Sequence, residues 1–149
     1  KYIEKRLVNR EYNHYEISNY CKKNMESKHN LVYWNNDYYY GFGLGASGYL
    51  ESYRYDNTKS LTKYLEGNYM QDIHKIDEED RIKYELILGF RKLKGINKVS
   101  FKNRFNKDIY SIENINELLE KGMLKEKDEY IYIPDEWMYR SNEILVKLI

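Results

Sequence analysis

Cysteine is nearly missing from this chain: Cys21 is the only one in 149 residues. A lone thiol excludes an internal disulfide, a Cys-x-x-Cys pair and any self-contained iron–sulfur or structural zinc site. An excess of one charge is missing too. With 25 Lys and Arg against 24 Asp and Glu the net charge is +1, so no global field draws in nucleic acid or an anionic membrane, and partners must be recognised locally. Long hydrophobic runs are absent. Leu86-Ile87-Leu88 and Ile144-Leu145-Val146 are far short of the roughly 20 apolar residues that span a bilayer. With no signal-like segment, a cytoplasmic location is expected. Nothing before Tyr12 resembles a start, a cap or a targeting sequence, and the chain reads as a piece of a longer protein.

Hydrophobic residues make up 42% and aromatics 16%, enough to pack the core of one medium domain or two small ones. Residues 2–10 read as the tail of a basic amphipathic helix. Residues 15–20 alternate bulky and polar side chains, as a half-buried strand does, and end at a Cys21-Lys22-Lys23-Asn24 turn. Strand is favoured again over 49–55, followed by the turn cluster Asp56-Asn57-Thr58 and a short helix over 60–69 capped by Ser60. A boundary falls near Asp77-Glu78-Glu79-Asp80 and divides 1–76 from 77–149, because acidic residues there complement the dipole of a helix with Ile82, Leu86, Phe90 and Leu93 on one face. Gly95 is its stop. Helices over 99–105 and 112–119 follow, the second closing at Gly122. A hairpin joins 123–125 to 130–133, and a helix over 135–148 carries Trp137, Ser141, Ile144, Leu145 and Leu148 along one stripe. The fold class is α+β, and the second half spells a winged-helix-like module.

Such a module invites DNA binding through a recognition helix at 112–121. The charges oppose it. That helix exposes Glu113, Glu117 and Glu120 against Lys121, and the hairpin tip Glu126-Lys127-Asp128-Glu129 is mostly acidic, where phosphate contact needs Lys and Arg. A second motif, Gly43-x-Gly45-x-x-Gly48, matches the dinucleotide fingerprint as a string. It follows polar Trp34-Asn35-Asn36-Asp37 and leads into another strand instead of a helix, so nicotinamide and flavin are set aside.

The densest chemistry lies in His29-Asn30-Leu31-Val32-Tyr33-Trp34 and in the run that follows, Tyr38-Tyr39-Tyr40-Gly41-Phe42-Gly43-Leu44-Gly45-Ala46-Ser47-Gly48. An imidazole, a carboxamide, a phenol and an indole fall close together, and glycines behind them let backbone approach a flat ligand.

Tyr15-Glu16-Ile17-Ser18-Asn19-Tyr20, His29-Asn30-x-x-Tyr33-Trp34 and Gly41-x-Gly43-x-Gly45-Ala46-x-Gly48-Tyr49 together resemble the C-terminal half of oxygen-independent coproporphyrinogen III oxidase-like proteins, especially their haem-chaperone branch. Glu85-Leu86-x-x-x-Gly89-x-Arg91-x-x-x-Gly95-Ile96 is similar to the helix opening that family's C-terminal module, and Asn142-x-Ile144-x-x-x-Leu148 to its closing helix. Pro134-Asp135-Glu136-Trp137 departs from the Thr-and-Gly turn common before that last helix. The resemblance implies a radical S-adenosylmethionine protein whose [4Fe-4S] cluster sits on a Cys-x-x-x-Cys-x-x-Cys loop in an N-terminal partial (β/α) barrel. This chain then comprises the barrel's terminal strands and helices followed by the C-terminal module. Cys21 matches no member of the triad, so this piece is expected neither to hold the cluster nor to cleave S-adenosylmethionine, and no catalytic residue is assigned.

Within that family the oxidase branch decarboxylates coproporphyrinogen, and the chaperone branch binds haem and passes it to acceptor proteins; the His-Asn-x-x-Tyr-Trp motif points to the latter. His29 is the candidate ligand of haem iron, against the reading of a histidine that only fixes a loop. Tyr33 and Trp34 offer faces to a macrocycle, and Asn30 can meet a propionate or the imidazole. Gly43 and Gly45 either bring backbone near the cofactor or serve only a tight turn. His14 and His74 read as ordinary packing or surface residues. Glu16 and Asn19 could point into the barrel or pair within the sheet, and Arg54 could meet a propionate or be solvated. Two classes stand: a tetrapyrrole-handling protein with a haem-acceptor partner, and a noncatalytic module binding protein or nucleic acid. The truncated barrel edge leaves dimerisation open.

Overall fold

The computed structural model describes residues 2–149. Its first element is helix α1 (Tyr2–Val8), as the amphipathic pattern predicts. Residues 15–20 do not form one strand. They fold into a hairpin, β1 (Asn13–Glu16) against β2 (Asn19–Cys21), turning at Ile17-Ser18. The turn forms because its backbone has a distant partner: Ile17 N–H donates to the Arg91 carbonyl at 2.9 Å, and Leu93 N–H donates to the Tyr15 carbonyl at 3.2 Å. Helix α2 (Lys28–Trp34) starts at Ser27, whose hydroxyl accepts from Asn30 N–H at 3.3 Å.

Residues 49–55, expected as one strand, span another hairpin, β3 (Ser47–Leu50) and β4 (Tyr53–Asn57), so Asp56 and Asn57 belong to a strand instead of a turn. Ser60 caps α3 (Leu61–Leu65), which is shorter than expected, and β5 (Met70–Lys75) completes an antiparallel sheet in the order β3-β4-β5. All six residues of β5 are exposed, so burial leaves no alternation in its sequence for a pattern to reveal.

In the second half, Asp77 caps α4 (Glu78–Gly89), accepting from Asp80 N–H at 2.9 Å. Ile82, Leu86 and Phe90 are buried along its inner face. The helix ends at Gly89 and not at Gly95. Gly95 instead turns the chain with φ 76° into β6 (Ile96–Asn97), where an alanine Cβ would lie 2.0 Å from the Ile131 carbonyl oxygen. Then come α5 (Lys98–Phe105), a 3₁₀ turn at Ile109–Ser111, and α6 (Ile115–Glu120), which begins later than expected and closes before Gly122 at φ 66°. A hairpin is present but shifted, as β7 (Lys125–Lys127) and β8 (Tyr130–Tyr132), so Glu126 and Lys127 belong to a strand and the turn is Asp128-Glu129, with β6 added in the order β6-β8-β7.

The closing helix is broken into α7 (Asp135–Met138), α8 (Ser141–Leu145) and a 3₁₀ turn at Val146–Leu148. Arg140 N–H bonds back three residues to the Trp137 carbonyl at 2.9 Å, and at φ −118° Arg140 leaves helical geometry. The stripe survives the break, with Ser141, Ile144, Leu145 and Leu148 buried and Trp137 packed at the edge. The main apolar core lies entirely within residues 82–148, and Ile17 from the first hairpin packs against it.

Candidate functional site

Helix α2 presents the His29 imidazole to solvent at its first turn. One turn on, Tyr33 meets that ring edge-on, with centroids 4.9 Å apart and planes at 90°. Tyr33 in turn contacts Tyr39 at 4.6 Å, and Tyr39 contacts Tyr49 at 6.4 Å, so a chain of rings runs from His29 into the β3 hairpin. Trp34 is half-buried beneath the Arg91 guanidinium, 5.2 Å from its ring. Tyr33 and Trp34 line a cavity of about 220 Å³ with Asn36, Tyr39, Tyr49 and Arg54. Asn30 contributes its backbone N–H to the Ser27 cap.

The glycines divide by physical cause. Gly43 and Gly45 have φ of 101° and 68°, and a Cβ on Gly43 would meet nothing within 4 Å. Both hold backbone conformations that favour glycine. Close approach of backbone belongs instead to Gly41, where a Cβ would lie 2.2 Å from the Ser47 carbonyl oxygen, and to Gly48, where it would lie 2.2 Å from the Tyr55 ring. Beyond Tyr39 the loop exposes Tyr40 and Phe42, whose rings stack at 5.9 Å.

The far end of α2 is held by residues that the motif alone does not contain. Asn36 N–H donates to the Tyr33 carbonyl at 2.9 Å and Asp37 N–H to the Val32 carbonyl at 3.0 Å, a Schellman closure with Asn36 left-handed at φ 54°. Arg104 then donates to the Asn35 carbonyl at 2.9 Å and to the Asn36 carbonyl at 2.6 Å. The same guanidinium pairs with Glu85 Oε2 at 2.9 Å, and Lys92 Nζ donates to Asn35 Oδ1 at 2.8 Å. Arg54, half-buried at the edge of the cavity, lies between the Tyr49 and Tyr84 rings at 4.0 and 4.1 Å and donates to Asn36 Oδ1 at 3.1 Å. Burial pushes the Glu85 carboxyl above its usual range despite Arg104 and Lys92, and burial pulls the Lys92 ammonium down despite Glu85. A faint signal existed: Glu85 interrupts the apolar face of α4 beside Leu86, and Arg104 precedes buried Phe105 on α5.

The remaining candidates separate cleanly. His14 stacks on Tyr20 at 4.2 Å, in a packing role, and His74 lies exposed on β5. Glu16 is fully buried in β1, with neither carboxylate oxygen hydrogen-bonded among the described residues. Cys21 is buried, and among the described residues no group of three or more His, Cys, Asp or Glu side chains could hold a metal ion. The donor set therefore does not fit an iron–sulfur cluster. No described helix is long and apolar enough to cross a membrane.

Residues 76–136 match the HemN C-terminal domain. That stretch of the chain is similar to the C-terminal domain of HemN-like proteins. It is 34% identical over 137 residues to the heme chaperone HemW of Bacillus subtilis (strain 168), an alignment covering 87% of this chain and 36% of that protein. Against the heme chaperone HemW of Lactococcus lactis subsp. lactis (strain IL1403) it is 35% identical over 156 residues, covering 100% and 41%. Its fold matches the coproporphyrinogen III oxidase HemN from Escherichia coli, described as a radical SAM enzyme, with a TM-score of 0.72 at 12% identity over 99% of this chain and 39% of that one. The chain thus spans 36% and 41% of the length of these two curated relatives.

Proposed function

We propose that this chain is the haem-handling part of a HemW-like chaperone that takes up haem and passes it to an acceptor protein. The observation that carries the reading is the solvent-facing His29 imidazole, braced by Tyr33 and tied through Tyr39 to an exposed aromatic loop. Haem is the cargo here. The cavity of about 220 Å³ is smaller than the roughly 300 Å³ at which small-ligand pockets begin, so the macrocycle lies on the outer face of α2. His29 ligates the iron from one side, Tyr40 and Phe42 offer faces to the ring, and Asn30 meets a propionate. Tyr33 and Trp34 brace the helix from behind, and Gly43 and Gly45 shape the loop that brings the aromatic faces forward.

In this reading residues 1–76 carry the haem site as the end of a partial barrel, and residues 77–149 form a winged-helix-like module against it. Residues outside this chain supply the [4Fe-4S] cluster and S-adenosylmethionine of the longer protein, which works in the cytoplasm. Nucleic-acid binding by the second half is disfavoured, because Glu113, Glu117 and Glu120 leave no basic face on the segment that would enter a groove.

The test is a haemin titration followed at the Soret band, with free haemin as blank and His29→Ala beside the wild type. Saturable binding with a shifted band is expected, weakened about tenfold or more in His29→Ala, the equivalent of roughly 1.4 kcal/mol for a lost axial ligand. Wild-type spectra that track the blank, or equal affinity in the variant, would remove the assignment.

A further inference from the structure

We infer that Arg104, on α5 of the HemN C-terminal domain, is the positioning residue of the haem-site helix: its guanidinium joins the C-terminal end of α2 to Glu85 on α4 and so sets the direction of His29. The inference rests on the haem reading for its functional consequence and on geometry for everything else.

Helix α2 needs such a device. It has seven residues, none fully buried, and a helix that short is marginal in water by itself. Its start is held by the Ser27 hydroxyl cap at 3.3 Å and by the 3.3 Å bond that Ser27 N–H donates to the Tyr15 hydroxyl. At its end the Schellman closure satisfies the carbonyls of Val32 and Tyr33 and leaves those of Asn35 and Asn36 pointing out of the helix. Arg104 reaches both, at 2.9 and 2.6 Å, across 69 and 68 residues of sequence. A planar fork is suited to this because one cation can serve two carbonyls and a carboxylate at fixed angles, which an ammonium on a flexible stem cannot do.

The rest of the surroundings work to the same end. Asn36 is 1% exposed, and its side chain accepts from Arg54 at 3.1 Å and donates to the Arg81 carbonyl at 3.4 Å and to Glu85 Oε2 at 3.5 Å. Lys92 holds the Asn35 side chain at 2.8 Å. Both residues after α2 are therefore fixed through backbone and side chain by the second half of the chain. Tyr33 and His29 lie one and two turns back along the same helix, so a rotation of its end moves the imidazole with it.

The experiment pairs two readouts on Arg104→Gln and Arg104→Lys. In the protein without haemin, amide hydrogen exchange across residues 31–37 should speed up about tenfold or more in Arg104→Gln, the equivalent of one charge-assisted hydrogen bond, while the amides of β8 keep their protection. Arg104→Lys, which keeps the charge opposite Glu85 but loses the fork, should fall between the two. In the haemin titration Arg104→Gln should weaken binding and move the Soret band toward that of His29→Ala, with partial rescue in Arg104→Lys.

Exchange at 31–37 equal to wild type would overturn the clamp, and a loosened α2 with unchanged haemin affinity and Soret position would overturn the positioning role. Should Arg104→Gln also lose protection in β8, Arg104→Lys decides by the same criteria. A wild type that binds no haemin sinks the chaperone reading, whereas the exchange result judges the clamp separately.

Discussion

Replacing Gly41 by alanine perturbs the aromatic loop at the point where it touches the sheet. The new Cβ would stand 2.2 Å from the Ser47 carbonyl oxygen and 3.0 Å from Gly48 N, both of them backbone atoms of β3 that no side-chain rotation can clear. The loop must retreat. Retreat breaks the 3.0 Å bond from Gly41 N–H to the Tyr55 hydroxyl, the 3.4 Å bond that this hydroxyl donates to the Gly41 carbonyl, and the 3.1 Å bond from Asn57 Nδ2 to the same carbonyl. At about 0.5–1.5 kcal/mol per bond, local yielding brings the cost to about 2–4 kcal/mol. Gly43→Ala is the control: its Cβ meets nothing within 4 Å, so only the φ of 101° is strained, at about 1–2 kcal/mol. The assay is urea unfolding of each variant in a Trp137→Phe background, where Trp34 fluorescence reports on α2 and the cavity beside the loop. With a slope of about 1–3 kcal/mol per molar urea, Gly41→Ala should lower the midpoint by about 1 M or more, and by more than Gly43→Ala does. The reverse order, or a Gly41→Ala midpoint equal to wild type, would refute the argument that close approach is what requires glycine there.

Leu86→Ala empties a site that is 0% exposed at the centre of the core and should cost about 2–5 kcal/mol, whereas Leu61→Ala, at a position 61% exposed, should stay within about 0.5 kcal/mol; equal urea midpoints for the two would refute the assignment of the core. Glu85 supplies a pH test: its folded carboxyl is held above its ordinary range by burial, so its contribution to stability is full below the ordinary carboxylate range and is lost as pH rises through the raised folded value. The wild-type urea midpoint should therefore fall relative to Glu85→Gln as pH rises from the carboxylate range toward neutrality, and a gap that does not change with pH would show that Glu85 is not desolvated as the fold requires.

The elements legible in the sequence are those whose burial follows their own periodicity. Helix α4 carries Ile82, Leu86 and Phe90 at helical spacing onto one buried face, the acidic run from Asp77 marks its start, and Ser60 marks that of α3 by its capping chemistry. Where the deciding partner is remote, local pattern fails. The turn inside 15–20 exists because the Arg91 carbonyl accepts from Ile17 N–H across about half the chain, and β5 shows no alternation because none of it is buried. The candidate site was legible only in its residue content. His29 through Trp34 stand out by chemical content, but no helix is expected over them from the sequence, and Asn35-Asn36-Asp37 reads only as a polar stretch. Arg104 sits 69 residues from the carbonyl it meets, and nothing in the spacing of either segment encodes that meeting.

The contacts between the halves bear on how the HemN C-terminal domain should be regarded in this chain. Its matched span starts at residue 76, and the apolar core lies within 82–148, so by burial alone the first half could be an appendage. The polar contacts point the other way. Glu85, Lys92 and Arg104 direct charge away from their own core and onto two residues at the end of α2, and Arg91 covers Trp34 while its carbonyl anchors the first hairpin. Buried charges cost stability unless they are fully partnered, and for Arg104 most of the partners come from the other half. Two cations and a carboxylate at positions 85, 92 and 104 tie the stretch that resembles the HemN C-terminal domain to the end of α2, so the two stretches of sequence are joined by polar contacts as well as by Ile17 on the core.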